Sequence, residues 1–469
     1  MTRRSSTKEN TLQAFRQGDG AVKLSAILWG AGCIARGQAA KGLLLLLEEA
    51  AFVLGIVLTW PSLMKLPTLG TVQAERIWDP VSRRNVWNDY DNSFLILLFG
   101  VVGLLLIVGF LLQCLRMVKH ARRIQLRSLS GKTLPSLRED AERYLGPDFH
   151  RTLLFLPVTG VMLVLFIPLL VMILIAFTNY DRNHLVPTNL FTWVGLDNFR
   201  LLTDLGASSA FAYAFPRVLA WTLTWAVLAT VSCYIGGILL AMLINHTRTH
   251  VKPFWRTCFM VAMAVPQFVS LLLMRNLFAD VGIVNTLCKQ WGFTDWLYGW
   301  GAIPTANVIP FLTHPAWARP MILLINLWVG VPYQMLIATG ILLNIPHELT
   351  EAARIDGAGS WQVFRHITMP YLLHITGPSL VSGMVNNVNN FNVIWLLSRD
   401  VFVTTDQQMA QAGATEVDLL VTWLYRLTQD QSNYKMASVI GILVFVVCSA
   451  LTLIAFGRLT SRGREEAFH

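Results

Sequence analysis

Apolar runs long enough to cross a bilayer dominate this chain and leave it few ways to fold. An α-helix rises 1.5 Å per residue, so a crossing needs about 18 or more apolar residues, and about eight runs reach that length. Their cores are Gly42 to Trp60, Phe94 to Leu115, Leu153 to Phe177, Leu219 to Leu243, Cys258 to Leu277, Met321 to Leu342, Leu373 to Leu397 and Ala437 to Phe456. With 54% of the residues hydrophobic and 14% charged, lipid is the matching solvent. The expectation is an all-α membrane protein with about eight transmembrane helices, because helices satisfy their own backbone groups in hydrocarbon. Ala21 to Ala35 is apolar but shorter and broken by glycines. It reads as an interfacial or re-entrant helix, with a ninth span as the alternative.

The formal net charge is +10, and its location decides what it means. Arg116, Lys119, Arg122, Arg123, Arg127, Lys132, Arg138 and Arg143 crowd one stretch after the second run, and Arg458, Arg462 and Arg464 follow the last. Basic residues flanking apolar runs mark the inner side of a membrane, so both termini and this loop are expected in the cytoplasm, and nucleic acid is not the implied partner. The polar stretch Met1 to Asp19 has no apolar core of a cleavable signal. The six cysteines are scattered with no Cys-x-x-Cys pair, which indicates neither a metal site nor a disulfide framework. The chain divides into a cytoplasmic segment with the interfacial helix (1–41), two spans with the basic loop (42–152), a core of six spans (153–460) and a cytoplasmic tail (461–469). The loops 61–93, 179–217, 278–320 and 398–435 fall outside, none long enough for a large domain.

This count places the loop 344–370 in the cytoplasm. Leu349 to Asp356 has helical composition, Gly357 to Gly359 permits a sharp turn, and Ser360 can cap a second short helix toward Pro370. Two helices joined at a glycine make a protruding knob, suited to a socket on another protein. The alternative is an ordinary helical hairpin.

Glu351, Ala352, Ala353, Asp356, Gly357, Ile367 and Pro370 carry a specific resemblance. They match the "EAA" loop of permeases of ATP-binding-cassette importers, in the form common in carbohydrate uptake, with Met369 where leucine is usual. Phe177 to Asp181, Trp193 to Phe199, Gly282 to Asn285 and Asp418 to Arg426 resemble the larger permease subunit of maltodextrin and galacto-oligosaccharide importers. The resemblance implies a type I importer permease fold in the cell membrane and no enzyme activity of its own. It also implies a second permease subunit, two ATPase subunits that hold ATP and Mg, and an extracellular sugar-binding protein. The large outer insertion known in the maltose subunit has no counterpart, since only Asn179 to Arg217 occupies its place.

Polar side chains within a span are costly unless they face a cavity or a partner helix. The seventh run holds Asn386, Asn387, Asn389, Asn390 and Asn392. At about 100° per residue, Gly383, Asn386, Asn387, Asn390 and Ile394 share one side. Asparagine donates and accepts, which suits sugar hydroxyls, and Trp328, Gly330 and Tyr333 of the sixth run offer rings and room for a pyranose. The resemblance implies sugar contacts at Val329, Gly330, Tyr333, Gly383, Asn386, Asn387 and Asn390. Hydrogen bonding between helices is the other use of such asparagines.

Other signals fail on detail. Gly131-Lys132-Thr133 lacks the earlier glycine of a phosphate loop, since position 126 is Leu, and His347-Glu348 lacks the second histidine of a zinc helix. Glu48 and Glu49 lie inside the first run, where a contact near the inner interface competes with a proton-coupling role. Trp291, Trp296, Trp300 and Trp317 suit an interfacial aromatic belt or a partner contact, or meet sugar. A secondary transporter would show paired repeats, and none is evident; a membrane glycosyltransferase would need a carboxylate cluster. A permease for another solute is the remaining alternative.

Overall fold

The computed structural model describes residues 10–466 other than 186, 188, 204–208, 247 and 248. The first nine residues of the N-terminal segment and residues 467–469 of the tail lie outside the described residues. The chain is mostly helical and divides into two compact units, Met1–Gly195 and Leu196–His469. Six helices in the described residues are long and apolar enough to cross a membrane: Ala39–Lys65, Ser93–Leu129, Phe149–Ile175, Ala210–Asn245, Pro315–Leu342 and Tyr434–Ala455.

In the first unit, α1 (Thr11–Gln17), α2 (Gly20–Leu24) and α3 (Ala31–Ile34) precede the long α4 (Ala39–Lys65). Asn10 caps α1 and Asp19 caps α2, each through its side chain. Ala21 to Ala35 thus forms short helices and not a ninth span. It is held by Trp29, which is buried against Phe52 and Phe110 at centroid distances of 5.6 and 5.2 Å. The Trp29 amide donates to Glu49 Oε2 (2.9 Å) and Gln113 donates to Glu48 Oε1 (3.0 Å). Both carboxylates of the first span therefore have local partners. A hairpin follows, β1 (Arg76–Asp79) antiparallel to β2 (Arg84–Trp87), with Arg76 opposite Trp87. Next come α5 (Ser93–Leu129), α6 (Leu137–Leu145) and a crossing made of α7 (Phe149–Val161), a π turn and α8 (Ile167–Ile175). The hairpin sits in a stretch expected as plain loop.

The second unit opens with α9 (Asp197–Thr203) and α10 (Ala210–Asn245), then α11 (Lys252–Ala264), α12 (Gln267–Leu277), α13 (Ile283–Gln290), α14 (Phe293–Gly299) and α15 (Pro315–Leu342). Glycine lets α10 and α15 approach closely: a Cβ on Gly237 would stand 2.4 Å from Gln334 Cβ, and one on Gly236 2.9 Å from Val331 Cγ2. The expected fifth span is two helices, α11 and α12, separated at Val265 and Pro266. Proline disfavours helix in the residue before it, and Val265 is extended (φ −75°, ψ 127°). The expected seventh span is also two helices, α18 (Met369–Val388) and α19 (Phe391–Ser398), preceded by α16 (His347–Ile355) and α17 (Ser360–Val363). The chain ends with α20 (Gln407–Gln411), α21 (Leu420–Gln429) and α22 (Tyr434–Glu466). The expected tail from 461 therefore continues as helix through Glu466. Trp225, Leu271, Ile322, Ile325, Val393, Ile394 and Leu397 form one buried core joining α10, α12, α15 and α19.

Candidate functional site

The loop after α15 folds as the expected knob. His347 to Ile355 is helical, and Gly357 turns the chain with φ +85°, a conformation that costs a side-chain-bearing residue but not glycine. A Cβ on Gly357 would meet nothing within 4 Å, so backbone strain and not crowding selects glycine there. The second arm departs from expectation: Gly359, not Ser360, occupies the cap position, and its amide donates to Gln362 Oε1 at 2.8 Å. That arm runs from α17 through a π turn, Phe364–Thr368, straight into α18. Pro370 directly follows the π turn, so its missing N–H falls where the helical hydrogen-bond ladder already changes register. Phe364 and Met369 pack against the buried cluster of Tyr234, Ile238, Met335, Ala338 and Leu372, so the arm is rooted in α10, α15 and α18. The tip is open: Glu351, Ala352, Asp356, Gly357 and Pro370 are exposed, Ala353 and Ile367 half-buried. Ile355 is 86% and Trp361 69% exposed, apolar surface on a protrusion.

At the break between α18 and α19 the asparagines divide into two groups. Asn387 Nδ2 donates to Thr230 Oγ1 of α10 at 2.9 Å, and Gly383 lies beside Thr230 Cγ2. Asn390 Nδ2 donates to Asn387 Oδ1, and Asn390 Oδ1 caps α19 by accepting the Val393 amide, both at 3.3 Å. Asn386 is exposed, and its side chain makes no hydrogen bond among the described residues. With exposed Ser379 and Ser382 it forms a polar stripe at spacings of three and four on α18. Ile394 is fully buried in the core. The single face expected for Gly383, Asn386, Asn387, Asn390 and Ile394 is therefore not formed, because the interruption at Asn389 resets the helical phase. On α15, Tyr333 is 58% and Trp328 57% exposed, while Val329 packs on the core. Gly330 faces α10: a Cβ there would stand 2.7 Å from Cys233 Sγ. Its small size serves helix packing.

Residues 234–465 match the family described as binding-protein-dependent transport system inner membrane component. The chain is 33% identical over 452 residues to a maltodextrin transport system permease protein of Streptococcus pneumoniae, spanning 94% of this chain and 96% of that relative. The chain belongs to this family of membrane permeases. It is 32% identical over 382 residues to a galactooligosaccharides transport system permease protein of Bacillus subtilis, covering 80% of this chain and 85% of that one. A bacterial ABC transporter for import of the acidic polysaccharide alginate shares the fold, with a TM-score of 0.51 at 22% identity over 69% of this chain and 98% of the other. The permease is thus a multi-pass membrane protein whose relatives are transport subunits.

The permease also carries polar machinery that sequence reading quoted only as a motif. Asp418 is fully buried; it accepts the Thr415 amide (2.7 Å) and the Thr422 hydroxyl (2.9 Å) and pairs with Arg426 at 3.3 Å. The Leu420 amide donates to Thr222 Oγ1, and Trp221 Nε1 to Val417 O, tying this segment to α10. Nearby, the Tyr213 hydroxyl donates to Asp406 at 2.7 Å. With the Gln408 and Met409 amides it outweighs desolvation and holds that carboxyl below its usual range. Thr230 was missed because a lone threonine in an apolar run carries no signal; its role shows only against Asn387.

Proposed function

We propose that this permease forms half of the translocation pathway of an ATP-binding-cassette importer for an oligosaccharide of the maltodextrin or galacto-oligosaccharide kind. The knob around Gly357 carries the reading, because an exposed, apolar-tipped protrusion rooted in α10, α15 and α18 can pass a partner's movement to the membrane helices. Glu351, Ala352, Ala353, Asp356, Gly357, Ile367 and Pro370 form the contact with the ATPase. ATP and Mg are held by two partner ATPase subunits, and this chain performs no hydrolysis. A second permease subunit completes the pathway, and an extracellular binding protein delivers the sugar. The pairs α11 with α12 and α18 with α19 each make one broken crossing, bringing the count to eight in the cell membrane with both termini in the cytoplasm. Tyr333 and Asn386, exposed from α15 and α18, meet the sugar; Val329, Gly330, Gly383, Asn387 and Asn390 shape the wall behind them.

The test is copurification of the chain with its partners, reconstitution in vesicles, and ATP hydrolysis measured against a panel of oligosaccharides. Hydrolysis stimulated by maltodextrins or galacto-oligosaccharides, and only with binding protein present, is the expected result. Sugar uptake by the chain without an ATPase would overturn it.

A further inference from the structure

The basic loop encloses a cavity that the transport reading leaves unused. About 210 Å³ in volume, it lies where α4 begins and α5 ends, closed by α6 and the start of α7. Lys41, Arg123, Arg127, Arg143 and Arg151 line it. Arg123 and Arg127 stand four residues apart on one face of α5. Two carboxylates answer these five cations: Asp140 pairs with Lys41, and Asp148 lies 2.5 Å from Arg143 and 4.0 Å from Arg151. Arg123 donates its Nε–H to Lys119 O (3.3 Å), and neither it nor Arg127 has a carboxylate partner among the described residues. The cavity therefore keeps a net positive charge of about three, at the side of the membrane that basic flanks mark as inner. Gln38 also lines it, and Gln38 Oε1 is buried with no hydrogen-bond partner among the described residues, an acceptor in search of a hydroxyl. On α7, Leu154, Phe155 and Val158 follow the lining Arg151 by three, four and seven residues, so they share its face, and all three are exposed, an apolar wall.

We infer that this cavity binds a phosphodiester anion, the headgroup of an anionic phospholipid of the inner leaflet. The arginines take the phosphate oxygens, Gln38 takes a headgroup hydroxyl and the apolar wall takes the acyl chains. Inorganic phosphate shares the charge but offers neither the second group nor the tails.

The test uses the assembled complex in neutral detergent, with thermal unfolding followed as phosphatidylglycerol, phosphatidylcholine or inorganic phosphate is titrated. Saturable stabilisation by phosphatidylglycerol alone is expected, with the concentration for half effect rising about thirty-fold in Arg123→Gln/Arg127→Gln and about five-fold in either single variant. The single variants decide the matter if the double variant does not assemble. Lys132→Gln/Arg138→Gln, which removes the same charge outside the cavity, is expected to match the wild type. Equal response of wild type and cavity variants, or equal loss in the outside variant, would overturn the site. Stabilisation by inorganic phosphate at matching concentrations, lost in the cavity variants, would overturn the lipid assignment in favour of a soluble phosphate.

Discussion

Two interruptions in the second unit are built in opposite ways. At Gly357 the chain turns on a positive φ in open space, and the residues around it face outward with few bonds between them. At Asn389 the helix is interrupted, and the neighbouring half-buried asparagines are bonded: the Asn387 amide donates to Thr230 and the Asn390 amide to Asn387. Unsatisfied, protruding groups await a partner, whereas satisfied ones fix a shape. This criterion supports the proposed roles: the knob as a contact, Asn387 and Asn390 as a built-in break, and Asn386 and Tyr333, whose side chains make no hydrogen bond among the described residues, as the groups proposed to meet a solute.

The comparison breaks most visibly at Gly357. Gly357→Val places a β-branched residue at positive φ, and the strain, about 1–2 kcal/mol, is relieved by redirecting the knob. Sugar-stimulated ATP hydrolysis by the assembled complex is expected to fall about tenfold or more, with membrane insertion intact. Gly357→Asn should lose far less, because asparagine tolerates this conformation. Unchanged hydrolysis in the valine variant would show that the partner does not read the direction of the knob.

Asn387→Leu is next. It removes the bond to Thr230 in a nonpolar setting, so thermal unfolding should report a loss of about 1–2 kcal/mol while uptake per assembled complex is kept. Thr230→Val should cost a similar amount, and the double variant little more than either single one. Additive losses would mean that the two side chains do not act together.

How far sequence alone reaches is clear from the same residues. Six long helices and the glycine turn were legible, because length, apolarity and glycine act locally. The breaks were not read, although both left marks: Pro266 disfavours helix at Val265, and five asparagines in seven residues compete with the helix for its own backbone groups. Overlooking the second break carried the helical wheel across it, and so put buried Ile394 on the face of exposed Asn386. Gly330 shows a different limit. Room for a sugar and room for a neighbouring helix demand the same residue, and only Cys233 beside it tells them apart. The partners of Asp418 are near it in the chain, but the tie of its segment to α10 was invisible because Thr222 lies 198 positions from the Leu420 amide it accepts.

Tyr333→Ala sharpens the solute side of the comparison. The ring is 58% exposed and its hydroxyl bonds to nothing among the described residues, so truncation should change stability by less than about 0.5 kcal/mol. Uptake should nevertheless fall several-fold if the ring packs on a pyranose, an effect of about 0.5–1.5 kcal/mol. Loss of assembly in place of uptake would reassign the tyrosine to a subunit contact.

The smallest expected effect is at Asn390, and it separates capping from solute contact. Its carbonyl accepts the Val393 amide and its amide reaches Asn387, both at 3.3 Å, the long end of useful bonds. Asn390→Ala removes the cap and should cost about 0.5–1 kcal/mol, at the low end for caps because the bond is long. Asn390→Ser keeps an acceptor for the Val393 amide while losing the bond to Asn387, so it should recover most of that loss. If serine restores both thermal stability and uptake, Asn390 acts by starting α19 and the solute does not need its amide. If serine restores stability while uptake stays as low as in the alanine variant, the amide itself meets the solute, and the line drawn between satisfied and waiting asparagines must move to include Asn390.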